Sequence, residues 1–105
     1  MSKDSRTVRI PDDYRDLIQR LHLEWYQKDR VIRGLMEDHQ FDDDPAAFLN
    51  TDIFKAYEEK VANALLAYET AKDDLEQRYV PDDYKDKSYQ WSLDYATCVL
   101  TFTLA

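Results

Sequence analysis

Two histidines and one cysteine are the side chains best suited to metal or thiol chemistry in this chain, and their spacing works against both. His22 and His39 are 17 positions apart on a segment that reads as one helix. At 1.5 Å per residue that separates them by about 25 Å, too far to share an ion within that helix. Cys98 falls in a segment that reads as a strand, with no histidine or helix N-terminus near it in sequence to stabilise a thiolate. It is expected to act as a small buried hydrophobe. A single glycine excludes a phosphate loop and a dinucleotide fingerprint. The run Asp42-Asp43-Asp44 lacks the glycine turn and closing glutamate of a calcium loop, and reads as a solvated connector. The expectation is no metal, no cofactor and no catalysis.

What remains is charge and tyrosine. Glu37, Asp38, Asp42, Asp43, Asp44 and Asp52 crowd residues 37–52, which hold no Lys or Arg. Such a tip suits electrostatic docking on a basic surface. A second candidate is an internal echo. Ile10-Pro11-Asp12-Asp13-Tyr14-Arg15-Asp16 returns as Val80-Pro81-Asp82-Asp83-Tyr84-Lys85-Asp86. It presents Asp12 and Asp13, then Asp82, Asp83 and Tyr84, as a duplicated docking motif. The simpler reading is helix-start punctuation, because proline fits the first helical position and acids favour the positive helix end. Tyr26, Tyr84, Tyr89 and Tyr95 are the tyrosines hardest to place in a core, and tyrosine is a favourable interface residue.

The elements that carry these residues follow from periodicity. Over residues 12–38 the positions Tyr14, Ile18, Leu21, Trp25, Lys28, Ile32, Leu35 and His39 recur at alternating steps of four and three, the seam of a packed helix. Leu17 and Val31 are expected to widen it. Over residues 53–79 the seam is Phe54, Tyr57, Val61, Ala64, Tyr68, Ala71, Leu75 and Tyr79. Two helices of matched length predict an antiparallel hairpin, with Trp25 and Tyr14 facing the small Ala64 and Ala71. Between them lies an acidic connector, residues 39–52, in which Asp44-Pro45 caps a short helix. From Tyr89 to Leu104 the period falls to two and β-branched and aromatic residues alternate with polar ones, which predicts a β-hairpin over 88–104 within a tail at 87–105. Asp94 is suited to start its turn. A lone two-stranded hairpin is marginal in water. The N-terminal arm, residues 1–10, therefore supplies a candidate third strand at 6–10, beside the basic Lys3, Arg6 and Arg9. The fold class is α+β, mainly α, in a single domain spanning 1–105.

The chain has 105 residues and a formal net charge of −8. That charge opposes direct contact with nucleic acid or an anionic membrane. No apolar run reaches the ~20 residues of a membrane span. With no secretory signal and one unpaired cysteine, a cytoplasmic location is expected. The function these features predict is a non-enzymatic module that binds a protein partner with a basic surface through the acidic apex, surface tyrosines and β-tail. A homodimer is the second association the tail suggests. One alternative is a phage-type inhibitor of a nucleic-acid enzyme, of the anti-CRISPR kind, whose carboxylates imitate phosphates. A further alternative is a helical leader followed by a modified C-terminal peptide.

Overall fold

The computed structural model describes residues 4–105, so the first three residues of the basic arm, Lys3 included, lie outside the described residues. The elements run β1 (Ser5–Arg9), α1 (Asp12–Asp38), α2 (Pro45–Leu49), α3 (Asp52–Tyr79), β2 (Tyr89–Asp94) and β3 (Val99–Leu104), with one 3-10 turn at Asp82–Tyr84. The fold is α+β and mainly α, as the periodicities predict. Contacts divide it into two compact units. A sheet unit joins the chain up to Gln19 with Ala71–Ala105, and a helical unit holds Arg20–Thr70.

In the sheet unit all pairing is antiparallel, in the order β1-β3-β2. The third strand forms one residue earlier than expected, at Ser5–Arg9. Ile10 then leaves the strand but still donates its N–H to the Cys98 carbonyl at 2.8 Å. Directly opposed residues share a face of a sheet. The register pairs Val8 with Leu100, Leu93 with Leu100 and Trp91 with Phe102. Leu100 and Phe102 are fully buried, so Tyr89, Trp91 and Leu93 lie on the inner face with them. The outer face carries Thr7, Thr101 and Ser92 in one row. Beneath the inner face, Ile10, Ile18, Leu75, Val80 and Tyr84 complete the core. The start of α1 meets the end of α3 through Tyr14 and Tyr79, rings edge-on at 6.3 Å.

In the helical unit the buried residues are Ile32 and Phe54. His22 and Trp25 of α1 stand against Tyr68 of α3, with ring centres 5.1 and 6.2 Å away. In both units, then, α1 and α3 pack antiparallel. The rings contribute contacts that the large-on-small expectation did not include: Trp25 meets Tyr68 and Tyr14 meets Tyr79, ring against ring. Every predicted seam position is buried or half-buried, but Leu17 and Val31 are exposed and do not widen the stripe. Thr51 caps α3, its hydroxyl accepting the Phe54 N–H at 3.2 Å. Asp44 makes no side-chain cap to α2, which begins instead on Pro45 at its first turn. Gly34 lies within α1 with nothing in reach of an added Cβ, so it serves no close approach.

Candidate functional site

The tip of the helical unit is built by the end of α1, the connector, α2 and the start of α3. Phe48, the inward residue of α2, stacks flat on His39 at 3.8 Å and meets Phe54 edge-on at 5.2 Å. Asp42 holds the other side of His39, its carboxylate 2.6 Å from Nδ1. This aromatic stack floors a recess of about 260 Å³ lined by Met36, His39, Gln40, Pro45, Phe48 and Leu49. Two large apolar residues of the same tip are nearly bare, Phe41 at 89% and Ile53 at 83% exposure. Glu37, Asp38, Asp42, Asp43, Asp44 and Asp52, in the same stretch, are all exposed. Those six acids account for six of the eight excess negative charges of the chain. The tip is thus both acidic and apolar.

Sequence reasoning placed the acids but not the apolar half of this surface. A signal was present. Phe41 and Ile53 fall off the heptad seam, and Phe41 sits in a stretch with no helical period to bury it.

The remaining candidates belong to the sheet unit. Asp12, Asp13, Asp82 and Asp83 are exposed, yet each has a local partner. Asp12 accepts the Cys98 S–H at 3.2 Å, and Asp13 accepts the Tyr14 N–H at 3.1 Å. Asp83 pairs with Arg6 at 2.6 Å. Lys85 donates to Asp82 at 2.9 Å and holds that carboxyl below its ordinary pKa. Tyr84 is corrected from a surface candidate to a core residue at 2% exposure, with the Arg6 guanidinium over its ring. Tyr89 and Tyr95 are half-buried. The Tyr89 hydroxyl donates to Glu76 at 3.0 Å, and burial is the larger of the causes that push its pKa up. Tyr26 is exposed and stacks on His22.

Cys98 is not in a strand. It ends the β2–β3 turn with φ 60°, beside the first residue of α1 rather than remote from a helix N-terminus. That neighbour does not activate it. Burial and the Asp12 carboxylate push its pKa up, outweighing Arg15 and Arg9. The turn itself is tied as Asp94 suggests, its carboxylate accepting the Ala96 N–H at 2.9 Å. Arg15 adds a bond to the Tyr95 carbonyl at 2.9 Å.

Among the described residues no three His, Cys, Asp or Glu side chains are grouped to hold a metal. No helix among them is long and apolar enough to cross a membrane. Comparison with known proteins returns no matching family model, no matching curated protein and no matching solved structure.

Proposed function

We propose that this chain is a non-enzymatic interaction module that docks on a basic protein surface through the tip of its helical unit. The observation that supports this is that the segment 37–53 carries six exposed acids together with two nearly naked apolar side chains, Phe41 and Ile53. Charge steers the encounter and sets orientation. Desolvated apolar anchors supply most of the affinity. A free, buried Cys98 suits the reducing cytoplasm.

The test uses a fluorescent helical peptide with leucines on one face and lysines on the other. Binding should weaken with salt. Replacing Asp42, Asp43 and Asp44 by Lys should abolish it. Phe41→Ser, which leaves every charge in place, should weaken it about tenfold, the loss of one apolar anchor of ~1.4 kcal/mol. Equal affinity for the Phe41→Ser protein would reduce the tip to a nonspecific polyanion and sink the reading. The inhibitor alternative is the case in which the basic surface is a nucleic-acid groove. It requires that duplex DNA compete for the same enzyme.

A further inference from the structure

The edge of β2 is open, and its pattern is self-complementary. Three bonds fix the phase of the ladders: Ile10 N–H to the Cys98 carbonyl, Leu104 N–H to the Asp4 carbonyl, and Ala105 N–H to the Ser88 carbonyl. With the register of β2 on β3, Gln90, Ser92 and Asp94 spend their backbone groups on β3. The N–H and C=O groups of Tyr89, Trp91 and Leu93 therefore point away from the sheet. No backbone or side-chain bond to them is found among the described residues. Natural edges are blunted with proline, lysine or a bulge. Between Tyr89 and Asp94 there is none of these. The opposite edge differs. Self-pairing of β1 would bring Arg6 and Arg9 of two copies onto one seam.

We propose that two copies of this chain pair β2 against β2 in antiparallel fashion about a two-fold axis at Trp91, extending each three-stranded sheet into one of six strands. In that register Tyr89 opposes Leu93 of the second copy and Trp91 opposes its own symmetry mate. All three residues with free backbone groups then find partners in closely spaced pairs, giving six hydrogen bonds. The face parity also agrees. Inner residues oppose inner residues, so the apolar face continues across the seam, and Gln90 opposes Ser92 on the outer face. No like charges meet across the seam: Asp94, the one charged residue of the strand, comes opposite Ser88 of the second copy. Shifting the centre by one residue to either side leaves one of the three pairs unmade. The occupant is therefore a second copy of this chain, and the surface is independent of the acidic tip.

Light scattering on the size-exclusion peak at 100 µM should give twice the 12.5 kDa chain mass. Gln90 and Ser92 are exposed on the outer face, so replacing both with Lys spares the monomer core while placing like charges directly opposite across the seam. That protein should keep its circular dichroism spectrum and elute as a monomer. In a Cys98→Ala background, Gln90→Cys with Ser92→Cys sets thiols in opposed, closely spaced positions on the two copies, within disulfide reach. Mild oxidation should give a covalent dimer that reduction dissolves. A wild-type monomer at 100 µM, a dimer that survives the two lysines, or no cross-link between the paired cysteines would each overturn the proposal.

Discussion

Cys98 shows how much one residue's surroundings decide its chemistry. It adopts φ 60°, a region that costs an L-residue on the order of 1–2 kcal/mol. It does so because the chain must reverse within four residues and deliver Ile10 and Asp12 to the turn's carbonyl and thiol. Its thiol is buried, and desolvation together with the Asp12 carboxylate opposes ionisation. The folded-state pKa is thus raised above the ordinary 9.0. A group with a raised folded value gives its full stabilisation below the unfolded pKa and loses it as pH rises through the folded one. Stability should accordingly be flat in the neutral range and begin to fall above about pH 9, before the half-buried phenols of Tyr14 and Tyr89, also raised from 10.0, add their own decline. Urea midpoints measured from pH 7 to 10.5 check this. Cys98→Ala should remove the first step of the decline and leave the tyrosine step, and an unchanged profile would contradict the account. The same burial means iodoacetamide should modify the native thiol far more slowly than the urea-unfolded one.

At the level of elements, the echo separates what sequence can dictate from what context decides. Pro11 and Pro81 both open a turn, with Tyr14 N–H and Tyr84 N–H donating back to the proline carbonyls at 3.1 and 2.9 Å. The first copy continues as a helix because Leu17, Ile18 and Leu21 follow at helical spacing. The second stops after one 3-10 turn because Lys85, Asp86, Lys87 and Ser88 offer no apolar residue to carry a helix onward. Both seams were legible from the steps of three and four, and the hairpin from its period of two. The ring-on-ring register of Trp25 with Tyr68 was not, because many registers satisfy the same steps. Nor was the reach of Cys98 to Asp12, which spans 86 positions. Tyr84 misleads a sequence reading in a different way. Its acidic neighbours suggest the surface, but its ring is the largest fully buried side chain. Its hydroxyl is buried without a hydrogen-bond partner among the described residues. An unpaired buried polar group costs ~1–3 kcal/mol. Tyr84→Phe keeps the ring and removes that group, so it should raise stability by about 1 kcal/mol. A loss of stability in denaturant titration would show that the hydroxyl is satisfied in solution.

For the molecule as a whole, the distribution of charge matters more than its sum. Away from residues 37–52 acids and bases nearly balance, so the tip carries most of the net charge of −8. Like charges gathered on one loop repel, and Asp43 and Asp44 show no structural partner among the described residues: both are exposed, neither forms an ion pair there, and Asp44 does not cap α2 with its side chain. Asp42 is the exception, since it orients His39 on Phe48. If the tip persists for binding rather than for folding, its neutralisation should move the two properties in opposite directions. Asp43→Asn with Asp44→Asn should leave thermal stability equal or higher by up to ~0.5 kcal/mol, with the gain shrinking as salt screens the repulsion. The same protein should bind the basic peptide several-fold more weakly at low salt. A fall in stability would make these carboxylates structural, and with it the reason for reading the tip as a docking surface would disappear.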